Sequence, residues 1–305
     1  MTPRAKGYLA ALTAITLWAT TGILIRYLVA DEAMPPMLLA WWRNILISAG
    51  LWLGLAVFAP ARLHFPAGQG GFLAGYGLVL ALFNAVWIFS VQANGAAVAT
   101  VLLYSSAGFT ALLAHWWFQE SLGTPKALAV VFSLGGCVLV SGAYTPAQWH
   151  LHVAGLAWGL ASGLMFAAYS LGGRAASRRG LDPWTTLFWT FGVASVLLAG
   201  LNAALESAVW LPRLSLTGWS MLVVLALFPT LLGFVAYNAA LVFLEASVVN
   251  LLATLEPVMT ALMAAAFLGE HLTAVQIGGS ALILVGMVLV QMERPPAPPT
   301  AAAAP

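Results

Sequence analysis

The sequence predicts an all-α polytopic membrane protein of ten transmembrane helices, arranged as two inverted five-helix repeats. Three observations carry that expectation. The chain of 305 residues is 62% hydrophobic and 7% charged, whereas an ordinary soluble domain carries about 25% charged residues; its mean hydropathy is +0.96. Apolar blocks long enough to cross ~30 Å of hydrocarbon at 1.5 Å per residue recur along the whole chain. The second half also repeats the first at a constant offset.

The blocks run approximately 7–29, 37–59, 72–93, 96–118, 126–143, 153–173, 184–204, 218–238, 247–268 and 274–291, each bounded by polar residues, Pro or Gly. Arg4 and Lys6 precede the first block as they would in a signal peptide. That block is too long for one and lacks a small-x-small cleavage site, so it reads as a retained helix. Gln92 and Asn94 serve the tight turn between the third and fourth helices. Trp116, Trp117, Trp184 and Trp219 lie near helix ends and read as interfacial belt residues. Cys137, the single cysteine, excludes an intrachain disulfide and reads as a buried, inert thiol. Residues 1–6 form a cytoplasmic N-terminus, and the low-complexity tail, 292–305, is expected to be disordered.

Orientation follows from the lysines and arginines. With the N-terminus cytoplasmic, Arg4, Lys6, Arg62, Lys126, Arg174, Arg178, Arg179 and Arg294 all fall inside, and only Arg26 and Arg213 fall outside. The positive-inside rule favours that choice and places both termini in the cytoplasm.

A shift of 150 residues lays Ala96, Val98 and Leu102 on Ala246, Val248 and Leu252, and Thr110 and Ala111 on Thr260 and Ala261. Glu120 meets Glu270, and Gly136 meets Gly286. A weaker match at 148 pairs Arg26 with Arg174. Each repeat, 7–143 and 153–291, then holds five helices. An odd number makes the second copy enter from the opposite side, the architecture from which secondary transporters build two related conformations around a midplane site.

One stretch breaks the apolar rule. Leu251 to Leu272 reads LLATLEPVMTALMAAAFLGEHL and puts Glu256 and Pro257 near mid-membrane, where an acidic residue costs roughly 2.5 to 3.5 kcal/mol. Glu256 should therefore be neutral, paired or facing a wet cavity. A role in a substrate or proton pathway is the default reading, with a structural ion pair as the alternative. Pro257 cannot donate to the Ala253 carbonyl and predicts a kink or hinge.

The two copies of helix, short loop with Gln-Glu or Gly-Glu, and Gly-containing helix carry a resemblance. The clearest copy is LEPVMTALMAAAFLGEHLTAVQIGGSALILVGMVLV. It resembles the EamA-type transporters of the drug/metabolite transporter superfamily, from about Gly7 to Gln291. The resemblance implies ten helices, both termini inside, location in the bacterial inner membrane, and export of small metabolites such as amino acids. The first repeat departs from the pattern, with Ser106-Ala107 where the second has Glu256-Pro257. Any role for the acid is then asymmetric.

Helical faces nominate residues along a pathway. In the first helix Thr13, Thr16 and Thr20 make a stripe, with Trp18 and Thr21 elsewhere; such threonines either line a path or bond their own backbone. In the sixth, Trp158, Ser162, Phe166 and Tyr169 share a face expected to look into the bundle, beside a packing ridge of Gly155, Gly159 and Gly163. Thr100 and Tyr104 fall on Asn250 and Thr254 under the shift of 150, as corresponding polar pairs of an inverted-repeat site would. Glu256 lies about 160° round from Thr254 and shares a face with Thr260. Arg43 either snorkels outward or turns in to pair with Glu256 or hold a substrate carboxylate. Asn84 and Asn238 are further midspan polar residues. Glu120 and Glu270 read as solvated carboxylates beside the headgroups or as caps on the next helix.

The function class expected is a secondary transporter with a central cavity, moving amino acids, aromatic or otherwise amphipathic ones included. An uncoupled facilitator or exchanger and a drug or nucleoside exporter are the alternatives. Coupling, if present, runs to protons through Glu256. The partners expected are a small-molecule substrate and the bilayer, with no nucleic acid, since the net charge is +2 and no basic run or phosphate loop appears. No cofactor or metal is expected. His64, His115, His150, His152 and His271 form no metal-ligand spacing, and the absence of a nucleophile elbow makes an intramembrane enzyme a remote alternative. The Gly50-x-x-x-Gly54 motif packs helices within one chain or between two, so oligomeric state stays open.

Overall fold

A computed structural model describes residues 1–145, 153–205, 210–268 and 273–292, and among these the chain is helical, with no strand. Eight helices are long and apolar enough to cross a membrane: α1 (Pro3–Asp31), α2 (Pro36–Phe58), α3 (Gly70–Ala96), α4 (Val98–Phe118), α6 (Val153–Arg178), α7 (Pro183–Leu205), α8 (Leu216–Phe243) and α9, spanning Ala246–Met263 and continuing to Leu268. Two shorter apolar helices, α5 (Thr124–Val140) and α10 (Ala274–Met292), complete two sets of five. The tail after Met292, together with Glu270, His150, His152 and His271, lies outside the described residues.

Local chemistry sets the ends. Thr2 caps α1 by accepting from Ala5 N–H, and Pro3 follows at the first turn, where its missing N–H costs nothing. Asp182 caps α7 through bonds from Trp184 and Thr185 N–H, and Ser215 caps α8. Gly95, at φ 73°, reverses the chain between α3 and α4 in a conformation that suits glycine. Asn94 beside it donates to Gly155 O at 2.8 Å, tying that turn to the start of α6. α6 and α8 run to Arg178 and Phe243, about five residues beyond the ends expected from hydropathy. Arg174 explains the extension: its guanidinium donates to the Leu241 and Val242 carbonyls, bracing the two helix ends together.

The packing obeys the repeat. α3 lies along α6 as α1 lies along α8, while α2 meets α7, α4 meets α9 and α5 meets α10. In the last pair, backbone lies against backbone. A Cβ on Gly136 would stand 2.6 Å from Gly279 O, and one on Gly286 would stand 2.9 Å from Ala129 O. The shift of 150 converts the first contact into the second, as an approximate two-fold axis between α5 and α10 requires.

Four helices are irregular. α1 breaks at Thr20 and ends in a π-turn over Tyr27–Asp31, α4 breaks at Ser105, and α8 carries a π-segment, Ala226–Leu232, around Pro229. α9 breaks at Thr254 and Leu255. At three of these breaks the cause is the same. The hydroxyl and N–H of Thr20, Ser105 and Thr254 turn to the carbonyls three residues back, those of Leu17, Leu102 and Leu251. A one-turn 3₁₀ closure thus replaces the α-helical bond.

The break in α9 falls one turn before Pro257, and α4 breaks at the corresponding place with no proline. Pro257 therefore sits in the first turn of a new helix instead of kinking a continuous one.

At the face opposite the N-terminus, the loop between α1 and α2 closes on the start of α8. Glu32 accepts from the Ser215 hydroxyl and, at 2.9 Å, from Ser215 N–H, and Trp42 donates to Trp210 O. The Ser215 hydroxyl and then its N–H hold the Glu32 carboxyl below its usual pKa. The contact is therefore complete above the ordinary carboxylate range and is lost as pH falls through that lowered value.

Overpacking at the α5–α10 seam is expected to cost about 1–3 kcal/mol. Thermal unfolding of detergent-purified protein should show Gly136→Ala melting below the parent. Gly54→Ala, which meets nothing within 4 Å, should melt with it.

Candidate substrate pathway

The interruptions in α4 and α9 face each other near mid-depth, and their side chains cross-connect. Tyr104, the last helical residue before the α4 break, donates its hydroxyl to Glu256 Oε2 at 2.8 Å. Ser106, just after that break, donates to Asn250 Oδ1 at 2.9 Å. Cys137 on α5 directs its thiol at Thr254 O, 3.7 Å away. Glu256 opens the second half of α9, so its carboxyl stands at the positive end of the helix dipole. It is partly buried, and only Oε2 takes the Tyr104 bond.

Beside this pair lies a buried polar network. Asn250 Nδ2 donates to Ser170 Oγ at 2.8 Å, and Ser170 shares a 2.7 Å bond with the Tyr237 hydroxyl. Asn238 accepts from the Tyr76 hydroxyl and donates to that of Tyr169 at 2.8 Å. Both asparagines therefore spend their amides joining helices of the two repeats. An aromatic wall adjoins the network. Trp18 packs against Phe166, Phe234 and Tyr237 at ring separations of 6.1, 5.2 and 5.1 Å, and Phe83 stacks on Phe166 at 5.3 Å. Gly233 makes room for Trp18, whose indole nitrogen would lie 2.4 Å from a Cβ there.

Next to Phe83 in sequence, Asn84 accepts from Arg43 Nη2 at 2.6 Å. Arg43 has thus turned into the bundle, toward α3. It does not pair with Glu256, and its Nε is buried with no hydrogen-bond partner among the described residues.

The nominated residues divide accordingly. Trp18, Tyr104, Tyr169, Asn250 and Glu256 come together around the α4 and α9 breaks, and Arg43 with Asn84 forms a second polar point. Trp158 does not join them. It is 40% exposed and rests on Phe89 at the bundle's outer surface, because Gly155 and Gly159 seat that side of α6 against Asn94 and Leu102 and turn the indole away. Ser162 is fully buried but donates to Gly159 O of its own helix. Thr100 and Thr254 likewise bond the carbonyls of Ala96 and Leu251, so of the pairs matched by the shift only Tyr104 and Asn250 reach across. Thr13 bonds Leu9 O and faces outward, and Thr20 serves its own helix break. Thr260 does reach another helix, donating to Ala19 O at 3.3 Å. Ser170, Tyr237, Tyr76 and Ser106 carry the network without having been nominated; their one signal was a polar atom inside an apolar run.

Glu120 is a cap, but not on the next helix. Its carboxylate accepts from Ala246 N–H at 2.9 Å and Ser247 N–H at 3.2 Å, closing the start of α9 in the other repeat. Sequence proximity favoured α5; the inverted packing brings α9 to it instead.

Replacing Asn250 by Ala takes away the acceptor of the buried Ser106 hydroxyl, at about 1–3 kcal/mol for a group left unsatisfied, while Ser170 keeps Phe166 O and the Tyr237 hydroxyl. Thermal unfolding should show a clear loss for Asn250→Ala, whereas Thr100→Ala, removing a bond within one helix, should stay within about 0.5 kcal/mol of the parent.

A profile of the EamA-like transporter family matches residues 5–142 and 153–292. The chain is 28% identical over 297 residues to a probable amino-acid metabolite efflux pump of Salmonella typhimurium, covering 94% of each chain. It is 26% identical to a protein of the same description from Escherichia coli, covering 92% of each. It is also 26% identical to the uncharacterized transporter YwfM of Bacillus subtilis, over 92% of this chain and 91% of that one. A solved structure titled only as the crystal structure of a protein superposes with a TM-score of 0.78 at 19% identity, over 94% of this chain and 97% of the other, which shows a shared fold. With both halves of the sequence matched, the chain belongs to the EamA-like transporter family.

Proposed function

We propose that the protein is a secondary transporter that exports amino acids or closely related amphipathic metabolites from the bacterial cytoplasm by alternating access between its two repeats. The observation that carries this reading is the pair of corresponding helix interruptions, at Ser105 and at Thr254 with Leu255, bridged by Tyr104 and Glu256. Broken helices in matching positions of two inverted repeats are where such transporters bind their solutes.

The chemistry around the breaks supports the substrate class. Glu256 offers a carboxylate oxygen to an ammonium group, the Arg43–Asn84 pair offers guanidinium N–H groups to a carboxylate, and the aromatic wall beside the polar network suits an apolar side chain. The names of the relatives from Salmonella and Escherichia coli point the same way. The excess of Lys and Arg on one face supports a cytoplasmic N-terminus and C-terminus in an inner-membrane protein. Glu256 is the group through which proton binding would couple to transport.

A second reading, an uncoupled exchanger, is favoured by the Tyr104 hydroxyl, which gives Glu256 a fixed partner as a structural carboxyl would have.

Counterflow in proteoliposomes tests both readings. Vesicles loaded with unlabelled amino acids should take up labelled solute of the same class. Under an imposed pH gradient the parent should accumulate solute against its gradient, while Glu256→Gln, unable to release a proton, should keep counterflow and lose accumulation. Equal accumulation by both proteins would rule out coupling at Glu256. An absence of counterflow with every amino acid would reject the substrate class.

A further inference from the structure

We propose that Lys126 and Glu245 form a one-sided gate that biases the carrier toward the state closed on the face bearing its N-terminus. The inference rests on the alternating-access reading above. Lys126, in the first turn of α5, directs its ammonium to Glu245 Oε2 at 2.9 Å, to the Ser247 hydroxyl at 3.0 Å and to Ser121 O at 2.6 Å. Glu245 is the residue on which α9 begins. Together with the Glu120 carboxylate on Ala246 and Ser247, the pair clamps the α4–α5 loop of one repeat onto the start of α9 in the other. Lys126 is 2% exposed, so separating the loops would break a buried ion pair between the two repeats.

The repeat supplies the comparison that makes the clamp one-sided. The shift of 150 lays Lys126 on Gln276 and Glu245 on Gly95, neither of them charged. Gln276 turns to its own helix start, accepting from Thr273 N–H at 2.9 Å. Arg174 repeats the asymmetry: it braces the α8 carbonyls on the N-terminal face, whereas Arg26, its match at 148, is exposed. On the far face, the closure between Glu32 and Ser215 uses a neutral partner. If the two faces open by the same motion of two related repeats, the face where Lys126 pairs with Glu245 opens less often than the one where Gln276 and Gly95 hold the related positions, since a population follows the difference between the contacts each state makes.

Thiol accessibility tests the gate. Cys137→Ser removes the native thiol, and Ser106→Cys places a reporter on α4, at a fully buried position between the clamp and Tyr104. A membrane-impermeant maleimide is applied from the N-terminal face of oriented vesicles. Lys126→Gln, the residue the other repeat carries, and Glu245→Gln, which keeps an acceptor of the same shape, should each raise the labelling rate roughly tenfold. The double variant, Lys126→Gln with Glu245→Gln, should label no faster than either single variant, because each already breaks the same pair.

An unchanged rate in either single variant would overturn the gate. So would single-variant effects that multiply in the double variant, because loosening would then not depend on the pairing of charges. Counterflow by the protein with Ser106 and Cys137 in place separates the two claims: its absence counts against transport, while the labelling pattern reports on the gate alone.

Discussion

Every backbone polar group within a bilayer needs a partner from the protein, and that constraint organises this molecule more than any single contact. A helix can be interrupted there only if something takes over the orphaned carbonyls. In this chain a side-chain hydroxyl does so three times, with Thr20, Ser105 and Thr254 each closing a short turn on the carbonyl three residues back. The thiol of Cys137 adds a bond to the Thr254 carbonyl. With their backbone needs met, the breaks in α4 and α9 survive at mid-depth and release side chains that a continuous helix would have pointed elsewhere.

The released side chains then knit the two repeats together. Tyr104 reaches Glu256 and Ser106 reaches Asn250, so the bonds at the break also span the approximate two-fold axis. The glycine seam between α5 and α10 holds that axis in place by backbone contact. Around this symmetric frame the chemistry is asymmetric: one repeat carries Glu256-Pro257 and the other Ser106-Ala107, and one face carries the Lys126–Glu245 ion pair where the other has Gln276 and Gly95. In the proposed alternating-access cycle, symmetry would make two related states available, and the differences between the copies would give them unequal energies.

Helix content, the number of spans and the repeat were legible in the sequence, because they depend on hydropathy and on an offset between two stretches of one chain. Glu256 was legible too, since a carboxyl in an apolar run stands out whatever its surroundings. Trp158 shows where periodicity fails. A helical wheel groups it with Ser162, Phe166 and Tyr169, but only the seating of Gly155 and Gly159 against neighbouring helices tells which part of that arc faces inward. Pro257 was the visible helix breaker, yet the turn breaks at Thr254. Threonine bonds its own backbone in unbroken helices as well, so its role here had no separate signal.

By itself, then, the sequence determined that this chain crosses a membrane about ten times, that its halves are related, and that one acid lies in the apolar interior. All of these follow from transfer free energies and from similarity along a single strand of text. The tertiary structure alone decided that Arg43 turns to Asn84 and not to Glu256, that Glu120 caps a helix in the opposite repeat, and that Asn250 and Asn238 join one network around Tyr169 and Tyr237. Those choices depend on which helix faces are brought within hydrogen-bond reach of one another. Reach across an antiparallel pair of repeats is set by packing, which no local pattern of residues encodes.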